Sequence, residues 1–270
     1  MPDLTRWRRW GRVPAGNRIR WERFLHALRG SPFYAVDGAH SVLERIQEAF
    51  LAGSPGKALA RVPPVGLDYF RAHFPRFLNP GAPVPQRRPL AAPWGNGCRT
   101  AVIAPWFPLE AGPRVYDEVS FADLERFEPE AIAGPVAALR QAAAAILQGR
   151  LRLSSLRYGL IAFTGIGART LRQADRDLLW HACQLPVFEQ FRGIHGELLA
   201  VECEAHRGAH TMESGVLESV AGELWVTDLG NLHYPVLRLA TGLAAFLHNG
   251  VCGCGRNTPR VLFADPASTL

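Results

Sequence analysis

With 270 residues, 48% of them hydrophobic, the chain can bury the core of one large domain or of a domain with an appendage, so disorder is not its default state. It has no run of about 18 uninterrupted apolar residues, and residues 1–12 lack the apolar segment of a secretory signal, so a soluble, cytoplasmic protein without a transmembrane segment is expected. Five cysteines, an odd number in a chain that needs no disulfides to fold, point to a reducing compartment and to thiols free for metal binding or packing.

The formal charge of +6 sits at one end. Residues 1–30 hold eight arginines against Asp3 and Glu22, an excess equal to that of the whole chain, so the body is close to neutral. Trp7, Trp10 and Trp21 are interleaved with these arginines, a pattern that suits base stacking, an anionic membrane, an acidic partner, or simply a basic tail ending in the first helix. Nucleic-acid binding is disfavoured, because the body is neutral and no recognised nucleic-acid motif occurs. Arginine supplies 29 of the 30 basic residues, and Lys57 is the single lysine.

In chain order, residues 20–77 carry a broken helical pattern, with apolar residues at three and four spacing in WERFLHAL and HSVLERIQEAFLAG. GSPGK, residues 53–57, ends that run and lacks the spacing and the Ser/Thr of a nucleotide-binding P-loop. The Pro/Gly-dense stretch from 79 to 97 reads as a linker or long loop and marks a boundary. FADLERFEPEAIAGPVAALRQAAAAILQG reads as two helices, the second, alanine-rich one beginning near Pro135, where proline suits a first turn. RYGLIAF, TLRQADRDLLWHAC and PVFEQF form a strand, helix, strand unit. After Gly196 the texture changes to short strands, ELLAVEC, GVLESV, GELWVTDL, VLRLA and RVLFA, punctuated by glycine. The expected fold is therefore α/β, in three parts: a basic arm and helical region over 1–80, a Pro/Gly-rich linker over 81–115, and an α/β core over 116–270 whose end is mainly β.

Chemistry gathers in the last part. Cys203 is followed by His206 and His210, and NGVCGCGRN places Cys252 and Cys254 one glycine apart. Three thiolates and one imidazole make a closed tetrahedral zinc set, although Cys-x-Cys is tighter than the usual ligand gap. The alternative is a buried strand cysteine beside a chance pair in a glycine turn.

The run from VECEAHRGAH to CGCGRNTPRVLF resembles the phenylacetate–CoA ligase-like branch of the acyl-adenylate-forming, AMP-binding enzymes. The core of that family reads approximately Glu-Cys, Gly-x-His, Gly-Glu-Leu-x-x-Thr-x-Leu, Pro-x-x-Arg-Tyr-x-Thr-Gly-Asp and Cys-x-Cys-Gly-Arg. The match extends back through FRGIHGELLAVEC, more loosely through FADLERFEPEAIAGPVAALRQ, with an echo in RGSPFYAVDG. The resemblance implies the large-domain fold of an adenylate-forming enzyme with a small zinc-stapled C-terminal part. It also implies a structural zinc on Cys203, His210, Cys252 and Cys254, and a ligand site near Thr164, Gly165, Phe191, Gly193 and Arg238.

The departures from that pattern bear on function. Family members bind ATP phosphates on a Ser/Thr/Gly-rich loop where this chain has a Pro/Gly-rich stretch. Their Tyr-Gly-x-Thr-Glu aligns with Phe191, Arg192, Gly193, Ile194 and His195, and a neutral histidine cannot replace a magnesium-binding carboxylate. Thr-Gly-Asp becomes Thr241, Gly242, Leu243, which removes the ribose anchor. In TGIGAR, Gly165 and Gly167 suit a plain tight turn or an anion at a helix N-terminus, and Gly167 replaces a family glutamate. The family continues into a mobile domain with a catalytic lysine, and none of these 270 residues is expected to supply that lysine, since Lys57 lies in the helical N-terminal part. ATP/Mg2+ and CoA are therefore not carried over to this chain. The resulting expectation is a shortened, degenerate relative that binds an acyl or aryl-acid ligand or serves a biosynthetic enzyme or carrier protein as a pseudoenzyme partner. The alternative is an enzyme with residual or altered ligase or acyl-transfer chemistry, in which His195, Arg192 and Glu197 supply a base and an anion clamp.

Overall fold

A computed structural model describes residues 15–30, 64–68, 72, 90–95, 97–104, 114–116, 121–168, 170–233 and 235–264. The basic residues before 15, the helical run over 40–53, Lys57 and most of the proline-rich interval lie outside the described residues. Helix α1 (Ala15–Gly30) buries Trp21, Phe24, Leu25 and Leu28, the one-face spacing of an amphipathic helix. The next strands are β1 (Val65–Gly66), β2 (Thr100–Val102) and β3 (Arg114–Val115). Thus two pieces of the interval read as a linker are strands of the main sheet.

Helix α2 (Phe121–Phe127) is followed by strand β4 (Ala131–Pro135), which passes directly into helix α3 (Val136–Leu147). Pro135, at φ −56 and ψ 147, is the extended residue that caps the helix, so the helix opens where the proline predicts. Strand β5 (Gly159–Gly165), helix α4 (Gln173–Cys183) and strand β6 (Val187–Arg192) complete the strand, helix, strand unit, with β5 and β6 parallel. Strands β2, β4, β5 and β6 form a parallel block with β3 at its edge.

Both faces of this block are covered, which is why β4 and β5 read as continuous small and apolar runs without alternation. On one face Ile132, Leu160, Ala162 and Val187 pack with Leu139, Ala142 and Ala143 of α3 and Leu179 of α4. On the other, Val102, Ala133, Ile161 and Phe163 meet Leu90, Ala92 and Trp94.

At β6 the sheet switches from parallel to antiparallel pairing. The chain turns back into β7 (Leu198–Glu202), then β8 (Ala209–Thr211), β9 (Gly215–Val220), β10 (Glu223–Asp228), β11 (Val236–His248) and β12 (Arg260–Phe263), in the spatial order β6-β7-β8-β12-β11-β10-β9. The 13-residue β11 serves three neighbours, β10 through its first part, β1 in parallel at residues 239–240, and β12 through residues 245–248. This curl encloses a second core of Phe191, Leu199, Leu217, Leu224, Val226, Leu239 and Val261. No helix among the described residues is long and apolar enough to cross a membrane.

Candidate metal centre and the loop after β6

Cys203 directly follows β7, His210 lies in β8, and Cys252 and Cys254 occupy the loop between β11 and β12. Because β8 and β12 are neighbours, with His210 opposite Arg260, the two hairpin ends meet. Tight local geometry aims the thiols. The Gly255 N–H donates to the Cys252 carbonyl at 2.9 Å, and the Cys252 N–H donates to the Arg256 carbonyl at 2.9 Å, which folds Cys-Gly-Cys into a knuckle. Gly208, at φ +91, turns the chain between Cys203 and His210 where a Cβ would sit 2.7 Å from the Val261 carbonyl oxygen, so only glycine fits.

The four ligand atoms all lie within 4.8 Å of one another. The Cys203 and Cys252 sulfurs are 3.7 Å apart, too far for a disulfide and close to the edge, about 3.8 Å, of a tetrahedron with Zn–S bonds of about 2.3 Å. Cys254 Sγ and His210 Nε2, at 3.4 Å, fit the shorter S···N edge of the same figure. His210 Nδ1 is 2.8 Å from the Thr258 hydroxyl; with the proton on Nδ1, that bond turns the Nε2 lone pair inward. Burial pushes the His210 pKa down, aided by the charges of Arg256 and Arg260, which favours the neutral imidazole that a metal needs. The Cys203 thiol is pushed up to about 11, chiefly by burial, whereas the Cys254 backbone N–H holds Cys252 low. The residues present therefore can hold a metal ion, with four protein ligands and no open position. His206, the other histidine near Cys203, turns away and meets Glu202 at 3.1 Å. Cys98 and Cys183 lie outside the centre.

The second region is the tight turn from β6 to β7. Arg192, His195 and Glu197 are all buried, at 2%, 1% and 1% exposure. The Arg192 guanidinium donates to the Gly196 carbonyl at 2.9 Å and to the Gln190 side-chain oxygen, and lies 4.6 Å from the centre of the Phe163 ring. The Gly193 N–H donates to the Glu197 carbonyl at 2.8 Å, and the Glu197 carboxylate accepts from the His195 N–H at 3.1 Å. A Cβ on Gly193 would run into Glu197 Oε2, at 2.6 Å, and into the carboxylate of Asp228, so two buried acids converge on this glycine. The sequence reading missed Asp228, because it sits inside an ordinary strand pattern.

Of the expected ligand-site residues, Thr164, Gly165, Phe191 and Gly193 line up along the ends of β5 and β6, and Arg238 stands apart on β11. Thr164 and Phe191 are buried, the latter against Phe263 at 5.0 Å between ring centres. Arg238 is buried in an ion pair with Glu218 at 2.9 Å.

An open cavity of about 580 Å³ lies beside these, between α4, β6, the β7–β8 turn and β12. Arg172, Trp180, Leu185, Val261, Leu262 and Phe263 wall it, and the buried Glu189 and Glu202 reach it. Glu189 accepts from the Thr164 hydroxyl at 2.7 Å, and Glu202 accepts from Arg176 at 2.9 Å and from the Glu189 N–H at 2.8 Å.

Burial raises the Glu189 pKa from 4.5 to about 7, against the lowering effect of the Thr164 hydrogen bond. Burial acts on Glu202 in the same sense, but the His206 hydrogen bond and the charge of Arg176 outweigh it and hold that acid low. The fold thus keeps a proton on Glu189 that the unfolded chain releases, so its contribution to stability is full below 4.5 and lost as pH rises through 7. Glu202 contributes in the opposite sense, above the ordinary carboxylate range, and its share is lost in acid. Glu189→Gln is expected to raise stability at pH 8 by about 3 kcal/mol and to change little at pH 4. Urea midpoints at the two pH values check this, and equal effects at both would show that Glu189 titrates normally.

No protein-family model matches the sequence, and no curated protein does. Solved structures do match. An open conformation of 2-hydroxyisobutyryl-CoA ligase in complex with 2-HIB-AMP and CoA has a TM-score of 0.59 at 16% identity, over 97% of this chain and 72% of that one. The same ligase in the postadenylation state with 2-HIB-AMP gives 0.59 at 15% identity, over 96% of this chain and 70% of that one. Its thioesterification state gives 0.57 at 16%, over 96% and 70%. The protein therefore has the fold of the adenylate-forming acyl-CoA ligases, with a Cys/His centre in its C-terminal part that could bind a metal ion.

Proposed function

We propose that this protein is an acyl or aryl-acid binding or accessory protein on the phenylacetate–CoA ligase-like version of that fold, a pseudoenzyme without ATP-dependent adenylation, working beside a biosynthetic enzyme or carrier protein. The observation that carries the reading is the closed turn after β6. Where the family has a tyrosine, a glycine and a magnesium-binding glutamate, this chain has Phe191, Arg192 and His195, all at most 2% exposed and with the guanidinium engaged by protein groups. Magnesium needs hard oxygen ligands, and transferring phosphoryl groups needs preorganised charge, each such group being worth a factor of about 10² to 10³. The cavity beside α4 is where a ligand fits: its apolar wall suits an alkyl or aryl group, and Arg172, exposed at the rim, suits a carboxylate. The Cys/His centre is assigned as a structural zinc, since four protein ligands leave no position for substrate.

The purified chain is expected to show no ATP–pyrophosphate exchange across a panel of carboxylic acids, and to gain thermal stability with aryl acids in a manner weakened by Trp180→Ala. Robust exchange would overturn the reading. A second reading, residual acyl or thioester chemistry, is favoured by the convergence of Glu197 and Asp228 on Gly193 beside His195. Turnover of a thioester that disappears in His195→Ala would select it.

A further inference from the structure

A buried cation needs a counter-charge, because moving an unpaired ion out of water costs several kcal/mol even after relaxation. Arg260 on β12 is 6% exposed. Among the described residues its guanidinium donates to the Arg207 carbonyl at 2.9 Å, meets His248 Nδ1 at 2.9 Å, and lies 3.8 Å from Cys252 Sγ. None of these partners is a carboxylate. The register explains the position: Arg260 stands opposite His210 on β8 and opposite His248 on β11, directly behind the metal-ligand set. Arg256, the neighbouring basic residue, is exposed and needs no internal partner.

A divalent ion on three thiolates and one neutral imidazole carries a net charge of −1, which is the charge that Arg260 lacks. We propose that Arg260 is the counter-ion of the loaded centre: its guanidinium balances the monoanionic metal–thiolate group and donates to the Cys252 sulfur, making Arg260 a positioning and charge-balancing residue. The inference rests on the metal reading of the four ligands. An N–H donor and a positive charge on a metal-bound thiolate lower its nucleophilicity and its readiness to leave the metal, so Arg260 protects the centre from chelators and alkylating agents.

The test compares wild type, Arg260→Gln, Arg260→Lys and Cys254→His, alone and combined with Arg260→Gln, each loaded with zinc and titrated against a chromophoric chelator. Arg260→Gln is expected to weaken zinc binding by about 10- to 100-fold, the usual effect of removing an outer-shell partner, and to speed iodoacetamide-triggered zinc release. Arg260→Lys, which keeps the charge and loses the fork, should fall between. Cys254→His makes the centre a neutral two-thiolate site; in that background Arg260→Gln should change affinity by less than about threefold, since no excess charge remains to be balanced. Equal losses in both backgrounds, or unchanged affinity in the Arg260→Gln and Arg260→Lys proteins, would overturn the proposal. A wild-type chain that binds no zinc at all would instead overturn the metal reading.

Discussion

Stripping the metal from the Cys203, His210, Cys252 and Cys254 centre is expected to lower the melting temperature by about 10–15 °C. The four ligands come from two hairpin ends joined by the short β8–β12 pairing, two residue pairs long, and by a few further hydrogen bonds, among them Thr211 N–H to the Pro259 carbonyl, Arg260 to the Arg207 carbonyl, and His210 with Thr258. A ligand that binds the folded chain alone, at a thousandfold excess over its dissociation constant, stabilises by about 4 kcal/mol, and a domain of this size moves by about 2–4 °C per kcal/mol. Apparent binding energies of structural zinc sites, about 10–16 kcal/mol, leave ample room for that shift. Without the ion, Cys203 and Cys252 at 3.7 Å must be protonated or repel each other. Differential scanning calorimetry before and after exhaustive chelation measures the effect, and Cys252→Ser should reproduce most of it. An unchanged melting temperature, or a metal-to-chain ratio near zero, would show that the cluster is a packing feature only.

The Cys/His cluster was legible because thiols and imidazoles are rare, and their placement at hairpin ends leaves a spacing signal. The choice of His210 over His206 was not in the spacing. It depends on β8, a three-residue strand whose register with β12 turns His210 inward, and on Glu202, which draws His206 aside. Helices α1 to α4 and the β5–α4–β6 unit were legible from periodicity and from a continuous apolar run. Strand β4 was hidden because Ala131–Pro135 is small and alanine-rich like the helix it enters, and its strand character comes from parallel pairing on both sides. The latter part of β11 was hidden for a related reason: Thr241 and Gly242 look like a turn, yet the Thr241 hydroxyl donates to the Leu224 carbonyl at 2.7 Å and keeps the strand on the sheet. Pairing partners and register are properties of distant residues, so local composition carries little of either.

The pair Glu218–Arg238 shows how such non-local chemistry decides both stability and the ligand question. Glu218 on β9 takes two hydrogen bonds from Arg238 on β11, at 2.9 and 3.0 Å, and the guanidinium lies 4.8 Å from the centre of the Trp225 ring on the intervening β10. One side chain thus ties three strands, with Arg238 held at φ 49, a left-handed conformation that a non-glycine residue rarely adopts. Both partners are at most 8% exposed. Glu218→Ala is expected to cost about 3–5 kcal/mol, because it leaves a buried guanidinium without its carboxylate, whereas replacing both by methionine should recover most of that loss. Urea denaturation of the single and double variants measures the difference, and equal losses in the two would mean that packing, not charge, is what the pair supplies. The same geometry bears on ligand binding: an anion that reaches Arg238 must displace Glu218 from a buried bidentate pair. An acidic ligand is therefore expected to prefer exposed Arg172 at the rim of the α4 cavity, so that Arg238 holds the strands in place while recognition falls to that cavity.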